Sequence, residues 1–412
     1  MGFQAGLSGL NAAAKNIDVI GNNVANANTV GFKSSRAIFA DVFASSLGGG
    51  GSGNVGIGTK VASVQQEFTQ GNITTTNSPL DVAINGRGFF RFDDNGSAMY
   101  SRNGQMHVDD NGYIVNSDNL RLTGYTVDSL NNIVASAPVP LHLSTTDISP
   151  SATTELLGTL NLDSRSPAIA GVFNPNNAAT YTNSTSSAIY DSLGNAHALT
   201  YYFVKTATPG QWDVHATVDG GAVGAVDLGA GAGNPVQLDF NSSGQLTTAQ
   251  PMSGVNVTVA TGAISPISMQ MNWTGTTQFG SDFGVTALSQ DGYTSGRLVG
   301  FDIADDGVIS GRYTNGQANT LGQVVLANFA NPQGLRPTGN NLWQETADSG
   351  QPIIGAPQTG SMGSLQSAAI EDSNVDLTQE LVNMITAQRV YQANAQTIKT
   401  QDQVLQTIVN LR

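Results

Sequence analysis

SNVDLTQELVNMITAQRVYQANAQTIKTQDQVLQTIVNLR, residues 373–412, ends the chain and predicts one long helix. The stretch contains no Gly and no Pro, although the chain has 48 Gly and 14 Pro, and residues of high helix propensity fill it. Asp376 with Gln379 three residues later has the form of a capping box, and Ser373 and Asn374 are alternative N-caps. Such a helix would be about 55 Å long.

Apolar side chains recur along this helix at spacings of three and four residues. We call this set the C-terminal seam: Leu377, Leu381, Met384, Tyr391, Ala395, Ile398, Leu405 and Val409. A seam sustained over about four heptads is typical of a helix that packs against other helices. The plainer alternative is a terminal helix folded back on the core of its own chain. The outer face, rich in Gln, Asn and Thr, favours the first interpretation.

A second seam lies at the opposite end of the chain, within residues 1–30. This N-terminal seam consists of Leu7, Leu10, Ala14, Ile17 and Val24. Gly21 and the run from Asn22 to Asn28 weaken the pattern, so we expect the helix to fray there. Each large seam residue contributes about 1.5–3 kcal/mol when buried. The two seams therefore predict a terminal helical unit, 1–30 with 371–412, whose remaining apolar surface other chains would cover.

The composition excludes several classes of protein. The net charge is −14 and only 11% of residues are charged, so we expect no nucleic-acid partner. No apolar run approaches 18 residues, so we expect no membrane insertion. The N-terminus lacks a basic segment followed by an apolar core, so we expect no ordinary secretory signal. Cysteine is absent, which excludes disulfides and thiolate chemistry.

The expected fold class is mixed: long, coiled-coil-like terminal α-helices plus two nested, mainly antiparallel β domains. From Gly71 the apolar period becomes two, and Asn-Gly and Asp-Gly pairs between apolar runs predict hairpins. A Thr-, Ser- and Ala-rich block then interrupts this pattern, which resumes after it. The expected domains are an inner β domain (71–144 and 286–355), an inserted outer β domain (145–285) and connectors (31–70 and 356–370), with a Gly-rich link at Gly48–Gly58.

Motifs for chemistry are missing. His107, His142, His197 and His215 do not have metal-ligand spacing, and no nucleophile elbow or phosphate-binding loop is present. We therefore expect no catalytic, cofactor-binding or metal residues, no cofactor and no enzyme activity. A hydrolase with an acidic pair brought together by folding stays open as an alternative.

Both ends of the chain resemble a known family. SGLNAAAKNIDVIGNNVANANTVGFK (Ser8–Lys33) is similar to the N-terminal signature of bacterial flagellar rod, hook and hook-associated proteins, and Asp376–Leu411 resembles their C-terminal helix. GFFRF, YSRNGQMHVDDNGYIVN (Tyr100–Asn116) and LTGY resemble the β domain of the rod and hook members. The chain length and the block with YDSLGNAH and YYFVK resemble hook members more than the shorter distal-rod members.

This resemblance implies a structural subunit that polymerises with itself into a curved, flexible tube, joining rod to filament and enclosing the export channel. The implied partners are the distal rod protein, the hook cap protein, the hook–filament junction protein and the flagellar export apparatus. The implied location is extracellular, with export that leaves no cleaved signal peptide. Two alternatives stay open: a distal-rod protein, and a secreted β-rich binding protein oligomerised through its terminal helices.

Overall fold

The computed structural model describes residues 2–42, 56, 58–128, 131–144 and 146–410, and only the backbone of residues 2 and 408–410. Within them, helix α1 spans Gly2–Ala25 and helix α2 spans Leu377–Asn410, with strands between. The predicted mixed fold with terminal helices and antiparallel β domains is thus confirmed. Most of the predicted Gly48–Gly58 link lies outside the described residues. No described helix combines the length and hydropathy that a membrane span requires.

The chain divides into two compact units. The first unit comprises Met1–Thr145, Gly300–Arg312 and Ala318–Arg412, and the second comprises Thr146–Val299 and Tyr313–Gln317. The predicted boundaries at residues 144, 285 and 355 stay predictions.

Short strands fill the first part of the first unit. They are β1 Ser35–Val42, β2 Gly58–Gln66, β3 Ile73–Thr75, β4 Val82–Asn85, β5 Phe89–Asp94, β6 Ser97–Ser101, β7 Met106–Val108, β8 Ile114–Asn116, β9 Arg121–Val127 and β10 Ile133–Pro140. Asn95 (φ 49°) and Gly96 (φ 96°) connect β5 to β6. Two successive positive φ values make the tight hairpin turn that the Asn-Gly pair predicts.

The second unit contains β11 Glu155–Asn161, β12 Asn183–Tyr190, β13 Ala196–Lys205, β14 Gln211–Val218, β15 Val226–Asp227, β16 Val236–Asp239, β17 Met252–Val257, β18 Ile267–Asn272 and β19 Gly284–Gln290. Its described strands form two sheets, ordered β15-β17-β18-β11-β19 and β12-β13-β14-β16. Alternate residues of both sheets meet in one core around Tyr201, Phe203, Trp212 and Trp273.

The remaining strands are β20 Leu298–Ile303, β21 Val308–Tyr313, β22 Ala318–Val324, β23 Leu326–Asn328, β24 Arg336–Gly339, β25 Leu342–Gln344, β26 Ile353–Gly355, β27 Ser364–Ser367 and β28 Ala369–Glu371. Among described residues, thirteen strands share one sheet with the central order β20-β21-β22-β9-β5-β6-β25-β24. Strands that precede and follow the second unit in sequence are therefore neighbours in one sheet.

The stretches expected to be connectors contain regular structure. β1 and β2 form an antiparallel pair within residues 31–70. β27 pairs with β4, and β28 pairs with β3, so part of 356–370 also belongs to β structure. Weak local propensity in these short strands is offset by pairing with residues far away in sequence, which local patterns do not reveal.

The expected fraying at Gly21 is wrong, because α1 continues through Gly21 to Ala25. Asn23 explains the difference. Its side chain is almost completely buried, its Oδ1 accepts from the Ser35 backbone N at 2.9 Å, and its Nδ2 donates to the Ser35 carbonyl at 2.8 Å. These tertiary hydrogen bonds hold the last turn of the helix, where propensity alone favours unwinding.

Candidate assembly surface

The two terminal helices pack side by side and run in opposite directions. Gly6 lies against Ile398 and Gly9 against Asn394, whereas Asn23 near the end of α1 contacts Glu380 near the start of α2. A Cβ atom added at Gly6 would lie 3.1 Å from Ile398 Cγ1, and one at Gly9 would lie 2.8 Å from Asn394 Oδ1. The glycines therefore permit the close approach of the helices.

Helix α2 begins at the residue that the sequence indicated. Asp376 Oδ1 accepts hydrogen bonds from the backbone N–H groups of Thr378 (2.9 Å) and Gln379 (3.1 Å), as an N-cap residue does. The second half of the expected capping box is absent, since the Gln379 side chain donates to Asn383 Oδ1 instead. The cap fixes where helix α2 begins.

A buried ionic cluster anchors both helices to the first unit. The Glu371 carboxylate accepts from Lys33 Nζ at 2.5 Å, Arg102 Nη1 at 3.1 Å and the Gly71 backbone N at 2.9 Å. The Lys33 and Glu371 side chains are completely buried, and Arg102 is 5% exposed. Burial lowers the pKa of Lys33 and the pKa of Arg102, and their contacts with Glu371 counteract this effect.

The sequence alone predicted neither this cluster nor the hydrogen bonds between the Asn23 side chain and the Ser35 backbone. The three charged residues stand at positions 33, 102 and 371, and no spacing rule connects positions so far apart. The strand pairing β3–β28 places Glu371 beside Gly71, whereas Lys33 and Arg102 reach it from a loop and from the end of β6, next to backbone hydrogen bonds such as Gly31 N to the Glu371 carbonyl and Arg102 Nη2 to the Gly86 carbonyl. The one sequence feature that could have pointed to the cluster is the low content of charged residues, because in such a chain each charged residue is more noticeable. This feature does not reveal which charged residues pair.

The C-terminal seam is largely uncovered in this structure. Leu377, Leu381, Tyr391 and Leu405 are exposed, with fractions of 45% for Leu381 and 53% for Leu405. Met384, Ala395 and Ile398 are half-buried, and the Val409 side chain lies outside the described residues. In the described part of α2, the buried residue is Ala387. The helix therefore does not fold into the core of its own chain.

The N-terminal seam is also largely uncovered. Leu7 is 44% exposed, and Leu10, Ala14, Ile17 and Val24 are half-buried. The apolar residues that α1 does bury are Ala12, Ala13, Val19 and Ile20, which belong to a different face. Contacts within the chain therefore bury one face of α1. The N-terminal seam lies beside that buried face and stays partly exposed.

Both seams lie on the same flank of the helix pair. A groove of about 740 Å³ between α1, α2 and the β1–β2 pair marks the opposite flank, lined by Asn16 and Val19 of α1 and by Asn383 and Val390 of α2, among others. At about 100° per residue, the seam positions of α1 and α2 point on average about 125° and about 95° away from the groove-lining positions of the same helix. Leu405 is the exception, because it lies 18 residues after groove-lining Ala387 and so points in the same direction. The seams thus join into one apolar face, which we call the seam face.

Four family models match successive parts of the chain. "Flagella basal body rod protein" matches residues 3–33 and "Flagellar hook protein FlgE/F/G D1 domain" matches 83–153. "Flagellar basal body protein FlaE D2 domain" matches 161–293, and "Flagellar basal body rod FlgEFG protein C-terminal" matches 366–411. The first and last matches cover the two helices that carry the seam face.

Relatives match over the full length. The flagellar hook protein FlgE of Escherichia coli (strain K12) is 44% identical, with 100% of each chain covered, and that of Salmonella typhimurium is also 44% identical with the same coverage. The Borreliella burgdorferi FlgE is 33% identical over 99% of this chain and 98% of its own. The crystal structure of Helicobacter pylori FlgE2 covers 71% of this chain and 99% of its own at 15% identity and a TM-score of 0.49, a likeness too weak to add to these relatives.

Proposed function

The chain belongs to the bacterial flagellar hook protein family, and we propose that it polymerises through its seam face into the tube of the hook. As a member of this family it is a structural protein of the flagellar hook. The tube is curved and flexible, transmits torque from rod to filament and surrounds the export channel. The terminal helices, as the polymerisation elements, line that channel.

The exposure of the seam face is the observation that carries this proposal. Half-exposed Leu, Met, Tyr and Ile side chains along two adjacent helices form a long apolar surface, which soluble chains normally cover. Burial of each large side chain contributes about 1.5–3 kcal/mol, reduced here because each is already partly covered. Several such residues together supply enough free energy to associate copies of the chain.

The family context extends the proposal to partners and location. The chain lies outside the cell in the hook, after passage through the flagellar export apparatus. It contacts the distal rod protein at one end of the tube, the hook–filament junction protein at the other, and the hook cap protein during assembly. It works as a structural element and carries out no catalysis.

A pair of neighbouring exposed residues on α2 tests the seam face. Leu381 belongs to the seam face, while Val382, 54% exposed, points about 100° further round the helix and away from it. We expect Leu381→Gln to weaken each contact by about 1 kcal/mol and to raise the critical concentration for tube formation roughly fivefold. The matched control Val382→Gln should change it less than twofold.

Sedimentation and electron microscopy of tubes grown at graded protein concentrations give the critical concentration. Circular dichroism of the unassembled variants checks that both keep the native fold. Equal effects of the two substitutions would contradict the assignment of the seam face. A discrete trimer in place of open tubes would favour the oligomeric binding protein instead.

A further inference from the structure

One line of contact between α1 and α2 consists of small and polar residues. Residues seven positions apart on a helix point in nearly the same direction. At this spacing the line contains Gly9, Asn16 and Asn23 on α1 and Glu380, Ala387 and Asn394 on α2. Gly9 lies against Asn394 at one end of the line, and Asn23 is hydrogen-bonded to Glu380 at the other. Because little apolar surface lies along this line, its polar groups influence how tightly the helices pair.

Glu380 places a charge on the face that α2 buries. Ala387, seven residues later on the same face, is buried. The first turn of a helix favours a carboxylate through the helix dipole, and Glu380 lies in the first turn of α2. The position in the helix therefore compensates part of the cost of burying this charge.

The hydrogen bonds of Glu380 are incomplete. Its Oε1 accepts from Asn23 Nδ2 over 3.4 Å, which is long for a hydrogen bond. The same Nδ2 donates to the Ser35 carbonyl at 2.8 Å, so Glu380 receives the weaker of the two bonds. Its Oε2 is buried and has no hydrogen-bond partner among the residues that the structure describes. A buried acceptor without a partner costs free energy, and the cost is larger when the group is charged.

The charges around Glu380 also oppose its ionisation. Burial is the largest cause of its raised pKa, and the hydrogen bond from Asn23 acts in the opposite direction. The carboxylates of Glu67 and Asp376 raise the pKa further. Glu67 follows β2 and is paired with Arg36 of β1 at 3.5 Å. The β1–β2 pair and the start of α2 therefore bring more negative than positive charge to this site.

Helix α1 supplies no cation that balances Glu380. Its cationic side chain, Lys15, lies eight residues before Asn23, about 12 Å along the helix. Lys15 is paired with Asp18 at 3.9 Å, and both side chains are exposed. The ionised carboxylate of Glu380 thus has no cationic partner among the described residues, whereas the neutral acid needs none.

We propose that Glu380 is a proton-binding site that controls how tightly α1 and α2 pair, and that Asn23 holds its carboxyl between the helices. Pairing then takes up a proton, because the carboxyl binds a proton more readily in the buried, paired state than in an exposed chain. The site acts within one chain, and its effect on assembly rests on the proposed function. Since the seam face exists only while the two helices lie side by side, tighter pairing lowers the critical concentration for tubes.

Pairing of the helices should weaken as the pH rises. Protonated Glu380 stabilises the helix pair fully below its ordinary pKa of 4.5, and this contribution is lost as the pH rises through the higher pKa of the folded state. The Gln side chain has the shape of the neutral acid. Glu380→Gln should therefore make pairing independent of pH above 5.

Circular dichroism of the unassembled chain tests the site, because α1 and α2 are the α-helices of the described residues. The ellipticity at 222 nm is followed through urea titrations at pH 5, 6, 7 and 8, below the concentration at which tubes form. We expect the unsubstituted chain to lose its helical signal at lower urea as the pH rises, and Glu380→Gln to lose it at the same urea concentration throughout. At pH 8 the equilibrium constant for pairing should be roughly threefold or more higher in Glu380→Gln, and the critical concentration for tubes correspondingly lower.

Asp402→Asn is the matched control, because Asp402 is the other acidic residue of α2 and is exposed. This variant should keep the pH dependence of the unsubstituted chain. The same pH dependence in Glu380→Gln as in the unsubstituted chain would overturn the proposal. An equal loss of the dependence in Asp402→Asn would also overturn it, because the total charge of α2 would then be the cause.

A second variant tests the role of Asn23. Asn23→Asp places another carboxylate beside Glu380, so it should weaken pairing at pH 8, and addition of Glu380→Gln should restore part of the loss. Strictly additive effects of the two substitutions would contradict the proposed contact. If the unsubstituted chain forms no tubes at any of these pH values, the proposed function fails, while the helical signal still decides the role of Glu380.

Discussion

A single carboxylate, Glu371, connects four segments of the first unit that are distant in sequence. It binds Lys33 just after α1, Gly71 before β3, Arg102 after β6, and its own backbone carbonyl accepts from the Gly31 N at 2.8 Å. Removing one member of a buried ion pair leaves an uncompensated charge and costs several kcal/mol. The cluster therefore fixes where both terminal helices leave the β structure, independently of the contacts between the helices.

The second unit also contains a buried charged cluster, in which a histidine lies between two carboxylates. His197 is 5% exposed, its Nδ1 lies 2.7 Å from Asp219 Oδ2, and its Nε2 lies 3.3 Å from Asp191 Oδ2. Burial lowers the pKa of His197, but the hydrogen bonds to Asp219 and Asp191 outweigh it, and the net pKa is raised. Burial also opposes ionisation of Asp191, yet hydrogen bonds from Thr261, Asn195 and His197 leave its pKa lowered.

Stability should therefore depend on pH in a defined window. A raised pKa means that protonated His197 stabilises the fold fully below the unfolded value of about 6.5, and that this contribution is lost as pH rises through the folded pKa. Asp191 contributes above about pH 3.9 and loses its contribution as pH falls through its lower folded pKa. The melting temperature should thus fall as pH is raised from 6 to 9.

Thermal unfolding monitored by circular dichroism at intervals of half a pH unit measures this dependence. His197→Gln should remove the alkaline decrease, whereas His142→Gln, in the first unit, should keep it. If the unsubstituted chain and His197→Gln show the same slope between pH 6 and 9, the assignment of the effect to His197 is wrong.

At the scale of elements, the sheet that contains β11 and β19 has two glycines, of which one is tightly packed and the other has open space beside it. A Cβ at Gly158 would lie 2.2 Å from Trp273 Cζ3, and Trp273 is completely buried. A Cβ at Gly284 would meet nothing within 4 Å. The close packing of an indole ring on the Gly158 backbone therefore decides which side chain β11 can carry at this position.

Gly158→Ala should lower the free energy of unfolding by about 1–3 kcal/mol, because the rigid indole must shift within a packed core. Gly284→Ala is the matched control in the same sheet and should change it by less than about 0.5 kcal/mol. Urea unfolding followed by tryptophan fluorescence gives both values. A neutral Gly158→Ala would show that the Trp273 site can relax, contrary to this account.

The elements also show what local sequence can predict. The long helix α2, the cap at Asp376 and the hairpin turn at Asn95–Gly96 were predictable, because each depends on residues close together in the chain. The β1–β2 pair and strands β27 and β28 were not, since their partners are distant or separated by residues outside the described structure. The seam periodicity predicts one apolar face on each helix, and the use of these faces in assembly stays a prediction. The structure adds that the two faces lie on one flank of the helix pair.

At the scale of the whole molecule, the terminal helices carry two functions in this account. They contact each other through Gly6 and Gly9, and they present the seam face to other copies. The Lys33–Glu371–Arg102 cluster lies inside the first unit, at the base of both helices. Removal of the helices should therefore leave the β structure folded, since the ionic cluster and the cores around Phe90 and Trp343 remain.

The most direct test of the account compares the full-length chain with a chain lacking residues 1–31 and 373–412. Sedimentation velocity and electron microscopy of both, at equal concentration, show whether each forms tubes. The account predicts tubes from the full-length chain and a folded, β-rich monomer from the truncated one. Tubes from the truncated chain, or its unfolding into a state without β structure, would contradict the claim that the terminal helices are polymerisation elements and not part of the chain's own core.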